Sequence, residues 1–166
     1  MTLSRSDCFR FLVLAFSAAF STAAQAQVSG AAVHCTVSAS GLSFGRYTPG
    51  TPLSNDSTAT LSLTCSSPAP MPMPVRLSIA LEGAAAPRQL AGTGGHGLRY
   101  QLYVDAARSI PWGDGTGGTA PIIVEGIVSR TLPLHQTVPA YGRLLGRQTN
   151  TQAGTYFAQQ TITISY

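Results

Sequence analysis

The chain has 166 residues, only 10% of them charged, and its formal charge of +4 comes entirely from arginine, because lysine is absent. The arginines from Arg46 to Arg147 stand singly along the chain, which is not the clustered footprint of a nucleic-acid binder. The length suits one ordinary domain behind a leader, with enough chain to bury a core.

The leader comes first. Arg5 and Arg10 flank a short basic region, Phe11 to Phe20 is apolar, and Ala24-Gln25-Ala26 fits a small-residue cleavage site, so residues 1–26 read as a secretory signal peptide. An apolar run of about ten residues falls well short of the roughly 20 needed to cross a bilayer, and no other stretch is long enough, which predicts export without stable membrane insertion. The domain is then residues 27–166. It keeps two cysteines, Cys35 and Cys65, since Cys8 leaves with the leader. In an oxidising compartment such a pair is expected to form a disulfide. Two buried thiols or a metal site are the alternatives, the latter poor without nearby histidines.

Residues 31–37 can form a first strand, and 41–47 a short alternating piece with Leu42 and Phe44 on one side. Residues 48–56 are turn-forming. Residues 58–65 alternate cleanly, with Ala59, Leu61, Leu63 and Cys65 inward, which places Cys65 where a disulfide would staple this strand to the first. Four prolines between Pro68 and Pro74 make an extended connector, and its methionines Met71 and Met73 are too few for a soft-metal site. Val75, Leu77, Ile79 and Leu81 alternate with polar or small residues in the most regular strand of the chain. Residues 83–97 read as a glycine-rich loop.

Residues 98–105 form another period-two strand, with Leu98, Tyr100, Leu102 and Val104 inward. Beyond the glycine-rich stretch 113–118, residues 121–128 and 130–137 can each be a strand, with Pro133 pushing the second to an edge. Gly154 turns the chain into a final alternating stretch. Tyr156, Ala158, Ile162, Ile164 and Tyr166 share its apolar face, and Phe157, Gln159, Thr161, Thr163 and Ser165 the other. Such a strand must be paired on both edges or present open N–H and C=O groups to another chain. No helical period of useful length occurs beyond the leader. The predicted class is all-β, with strand spacing that suits a sandwich.

Little in the chain points to catalysis. Asp114 lies between glycines, where aspartate forms turns, and Asp105 ends a strand. Glu125 stands alone, and His34, His96 and His135 have neither metal-ligand nor triad spacing. Gly113-Asp114-Gly115 lacks the following Lys-Ser or Lys-Thr of a phosphate loop. No enzymatic activity and no cofactor are expected. Residues 83–97 and 113–118 are either binding loops or connectors.

Cys35, the run Leu42-Ser43-Phe44-Gly45-Arg46-Tyr47, Leu61 to Cys65, Tyr100 to Asp105, Trp112-Gly113-Asp114-Gly115, Tyr141-Gly142-Arg143, Gln148 and Gly154-Thr155-Tyr156 ending in Tyr166 occur together and in order. In this the chain resembles the spore coat protein U domain, a family that includes subunits of archaic, Csu-type chaperone–usher pili. The resemblance implies an incomplete immunoglobulin-like β-sandwich that lacks its last strand. A periplasmic chaperone would lend that strand first, and a neighbouring subunit's amino-terminal extension would replace it at an outer-membrane usher. It further implies a fibre subunit on the cell surface, with a role in adhesion or biofilm formation. Tyr156, Ala158, Ile162, Ile164 and Tyr166 would line one wall of the partner-strand groove. A stand-alone spore-coat or envelope protein with the same domain is the alternative. One departure stands out: only Gln27 to His34 precedes Cys35 in the expected mature chain, at most about 28 Å of extended backbone. Val28, Gly30 and Ala32 would be small plugs. A subunit that accepts a strand but donates poorly suits a tip or minor position.

Overall fold

The structure is a computed structural model that describes residues 33–83 and 86–166; the expected leader lies outside the described residues. Eight strands occur in order: β1 (His34–Ala39), β2 (Asn55–Ser66), β3 (Met73–Leu81), β4 (Arg88–Ala91), β5 (Gly97–Tyr103), β6 (Ile122–Val128), β7 (Leu134–Leu144) and β8 (Ile162–Ser165). A single 3₁₀ turn over Thr93–Gly95 is the only helical element among the described residues. The strands form a five-stranded sheet, β1-β2-β7-β5-β4, and a three-stranded sheet, β6-β3-β8, with antiparallel neighbours throughout. This is the all-β, two-sheet architecture predicted, consistent with an immunoglobulin-like sandwich.

Alternation builds the core. On β2, Ala59, Leu61, Leu63 and Cys65 are all buried, and on β3 so are Val75, Leu77, Ile79 and Leu81. Each leucine or isoleucine so buried contributes about 1.5–3 kcal/mol relative to exposure. Pairing of β1 with β2 sets Cys35 directly opposite Cys65, and the two form a disulfide.

Several expectations need correction. Residues 41–47 are not a strand: Gly45 turns at φ 70°, and the Asn55 side-chain amide donates to the Phe44 and Arg46 carbonyls, each at 2.9 Å, in place of a ladder. Leu42 and Phe44 still point inward over Gly142, where a Cβ would lie 3.0 Å from the Phe44 ring. The loop 83–97 contains β4, too short at four residues to declare itself by period. Val104 lies just past β5 and is only half-buried.

Residues 130–137 do not form an edge strand. Leu134 onward belongs to β7, central in its sheet, and Pro133 precedes it. Pro139, inside β7, pairs with Thr60 of β2, but β5 joins β7 only from Tyr141 to Leu144, so the missing N–H leaves no gap in that second ladder. The final stretch is also interrupted. Phe157 makes an isolated bridge to Ala91, and regular pairing resumes only at Ile162. Its apolar face is not buried as read: Tyr156, Ile162 and Ile164 are half-buried, Ala158 is exposed, and Tyr166 is 61% exposed. The physical reason is that β8 is an edge strand, paired among the described residues with β3 alone.

One ion-pair cluster ties the turn after β5 to β2 and β7. Arg143 donates to Asp56 from Nε at 2.7 Å and from Nη2 at 2.9 Å, while Arg108 Nη1 approaches the same carboxylate at 3.3 Å. Arg108 also lies over the Tyr141 ring, 5.7 Å from its centroid. The Arg143 hydrogen bonds hold the Asp56 carboxyl below the ordinary aspartate range, against an opposing effect of burial, and the charges of Arg143 and Arg108 add to the lowering. Because the folded value is depressed, the contribution is present above the unfolded value of about 3.9 and is lost as pH falls through the folded value. Partial exposure keeps it small, about 0.5–1 kcal/mol. Asp56→Asn is therefore expected to lower stability slightly at pH 7 and to flatten the acid limb of the stability–pH curve between pH 5 and 2, roughly the window in which a depressed aspartate titrates. An unchanged acid limb would remove Asp56 from the account.

Candidate strand-acceptor groove

The two sheets do not match in width. With neighbouring strands about 4.8 Å apart, five strands span roughly 19 Å and three only about 10 Å. Part of the inner face of the larger sheet is consequently uncovered. A cavity of about 930 Å³ lies there, floored by Leu98, Tyr100 and Leu102 of β5, Ala140 and Leu144 of β7, and Ala59 and Leu61 of β2. Leu81 of β3, Leu90 of β4, Ile162 of β8 and Trp112 complete the apolar wall. At roughly 30 Å³ per water molecule, that volume would hold about thirty waters against leucine and aromatic surface. Leaving such surface wet forgoes about 25 cal/mol per Å².

The groove has backbone to offer as well as side chains. β8 bonds β3 along one edge, and its other edge has no strand partner among the described residues. Phe44 leans on Tyr100, ring centroids 5.8 Å apart, and narrows one end. Residues 151–158 run along the rim. The Tyr156 hydroxyl donates to the Gln152 carbonyl at 2.8 Å and accepts from the Gln152 N–H at 2.9 Å, closing a tight loop. Phe157 exchanges two backbone hydrogen bonds with Ala91 and turns its ring outward, 68% exposed.

The Tyr156 ring lies directly on Gly92, where a Cβ would overlap it. Gly92→Ala is expected to push Tyr156 off β4 at a cost of about 1–3 kcal/mol. The measurable consequence is faster proteolytic cutting within residues 151–158, and an unchanged cutting rate would show that the segment is not held there.

Of the five residues assigned to the groove from sequence, Tyr156, Ala158 and Ile162 line the cavity, whereas Ile164 and Tyr166 do not. The floor residues on β5 and β7 were legible as inward-facing but not as groove, because periodicity reports a face and not what covers it. Leu90, which lines the cavity from β4, gave no signal in a four-residue strand.

The other candidate groups stay apart. Asp105 accepts from the Ser109 and Ile110 N–H groups and the Ser109 hydroxyl, and Asp114 from the Thr116 N–H and hydroxyl. Those turn hydrogen bonds lower both carboxyl pKa values, Ile110 foremost for Asp105 and the Thr116 side chain for Asp114. Glu125 pairs with Arg76 on the outer face of the smaller sheet. His135 Nδ1 lies 3.3 Å from the Thr64 hydroxyl, on a different element from His34 and from His96. No cluster of three or more potential metal ligands occurs among the described residues. No helix among them is long and apolar enough to cross a membrane.

Gln148 is a buried amide that does structural work. It accepts from the Arg99 N–H at 2.6 Å and donates to the Arg99 and Leu145 carbonyls at 3.0 and 2.7 Å, so it docks the loop after β7 onto β5. The Tyr47 hydroxyl accepts from the Gln148 N–H at 2.8 Å. Gln148 and Tyr47 thereby hold the segments on either side of the groove in place.

A search of curated proteins returned no match. The family model of the Spore Coat Protein U domain matches residues 19–165, nearly the whole chain and every element of the sandwich. The chain belongs to the Spore Coat Protein U domain family.

Proposed function

We propose that this chain is an exported structural subunit of a surface fibre, completed by an extended strand from a partner. The family supports a structural protein of fimbrial or spore-coat type. What carries the finer reading is the apolar cavity over a sheet face that the smaller sheet leaves uncovered, beside an edge strand with no second strand partner among the described residues. A strand laid there bonds β8 through its backbone and plugs the cavity with alternate side chains, the mode known as donor-strand complementation. A periplasmic chaperone supplies the first such strand and a neighbouring subunit the permanent one, at an outer-membrane usher, on the way to the cell surface. Residues 1–26 serve as the signal peptide on this route.

The test is to export the full chain to a bacterial periplasm without partner genes, and to measure its solution mass and thermal melt with and without extended twelve-residue peptides of alternating valine and threonine. The expected result is aggregation or slow polymerisation alone and a raised, sharper melt with peptide. A monodisperse monomer with a reversible melt that no peptide shifts would overturn the reading and indicate a self-contained coat or envelope module.

A further inference from the structure

A second cavity, of about 340 Å³, shares no lining residue with the groove. Arg99 lines it from β5, where its neighbours Leu98 and Tyr100 are buried on the inward face, so alternation places Arg99 on the outer face of the sheet. Gln89 of β4 stands opposite Arg99 in the ladder and lies across Gly97, where a Cβ would overlap its amide. The loop after β7 supplies the other wall through Arg147, Thr149 and Asn150. The buried Gln148 side chain clips that loop to the backbone of Arg99 itself, so hydrogen bonds spanning 49 residues of sequence bring the two arginines to one cavity. Arg147 is held at φ 59°, in the left-handed region that suits glycine. Backbone strain of this kind persists only where the surroundings impose it, and it gathers at functional positions.

The cavity is cationic without an internal counter-charge. No aspartate or glutamate lines it. Among the described residues, neither guanidinium enters an ion pair or a side-chain hydrogen bond, and the amides of Gln89 and Asn150 are likewise unused. Asp56 and Glu125 are held by other arginines, and Asp105 and Asp114 by their own turns. Two uncompensated cations in a concave polar site attract an anion, and the fork of a guanidinium matches a carboxylate. The amides and the Thr149 hydroxyl, each both donor and acceptor, match neutral hydroxyls instead. The volume lies at the small end of ligand sites. It corresponds to roughly eleven water molecules, room for one sugar ring.

We propose that this cavity binds a small hydroxylated carboxylate of the sugar-acid class, with Arg99 and Arg147 on the carboxylate and Gln89, Thr149 and Asn150 on the hydroxyls. The inference goes beyond strand acceptance and does not rest on it. Because the site faces away from the groove, a strand laid in the groove does not cover it, and a fibre would present one such site per subunit.

The test is to titrate the full chain, as a monomer or in whatever assembly it forms, with glucuronate, glucose, acetate and inorganic phosphate, reading affinity by ligand-observed NMR at low and high salt. Glucuronate is expected to bind about tenfold tighter than each of the others or better, and to weaken at high salt. Arg99→Gln and Arg147→Gly should each lower its affinity about tenfold, the loss of one charge-assisted contact. Arg130→Gln, which removes the same charge elsewhere, should leave it unchanged. Glycine accepts the backbone angle at position 147, so Arg147→Gly should melt near the wild-type temperature, which separates lost binding from lost folding. Gln89→Ala should narrow the advantage of glucuronate over acetate. Equal affinity for glucuronate and glucose would overturn the proposal, as would a preference for glucuronate that survives both arginine variants. Acetate or phosphate binding as tightly as glucuronate would overturn the sugar-acid assignment and indicate a simple anion site only.

Discussion

Replacing both cysteines, as Cys35→Ala with Cys65→Ala, is expected to cost about 3.6 kcal/mol on the chain-entropy model, for a cross-link between residues 30 apart in sequence. The native side of the bond points to the same size of effect. β1 is an edge strand whose side chains are exposed or only half-buried, so its own packing contributes little. Cys65 has no exposure at all, and alanine is preferred to serine there because it buries no hydroxyl. Against a typical total of 5–15 kcal/mol, such a loss is large. It should appear in urea melts as a lower midpoint and a steeper slope, since the freed denatured chain exposes more surface. Treating the wild type with a reductant should reproduce the shift. An unchanged midpoint would mean that β1 is held by its ladder alone. Because Ala39, at the end of β1, lines the groove, peptide binding should weaken in the same variant.

Legibility in the sequence followed the physics of each signal. β2 and β3 were readable to the side chain because both have one face buried against the opposite sheet, which forces strict alternation. The disulfide was readable because both cysteines fell on predicted strands in an exported chain. β4 and the central position of β7 were not. The first is four residues long, and the second hides behind Pro133 and Pro139, whose usual meaning is an edge. The final stretch misled for another reason. Its alternation is real from Ile162 to Ile164, but period two shows which residues share a face and not whether any neighbour covers them. Tyr166 and Ala158 are exposed for want of that neighbour. The groove itself was visible only through family resemblance, because it is a difference in width between two sheets, and strand order is not written in local pattern.

Trp112→Ala is expected to cost about 3–5 kcal/mol, the range for removing a large aromatic from a core. The side chain is 3% exposed, and its indole N–H donates to the Ile79 carbonyl of β3 at 2.8 Å. Its backbone N–H donates to Leu102 of β5 at 2.8 Å, so one residue links the two sheets at the groove wall. Trp112→Phe separates the contributions, because it keeps a ring in the core and gives up the indole hydrogen bond, for an expected loss of about 0.5–1.5 kcal/mol from that bond plus a smaller packing term. Urea midpoints should fall in the order wild type, Phe, Ala; equal midpoints for wild type and Ala would show that the residue is not a core member. Trp112 is also the sole tryptophan of the chain, which makes its fluorescence a reporter of the groove. An apolar strand that displaces water from the cavity should shift its emission to the blue and protect it from iodide quenching. If a peptide raises the melting temperature and leaves both signals unchanged, it binds somewhere other than the uncovered face of the five-stranded sheet.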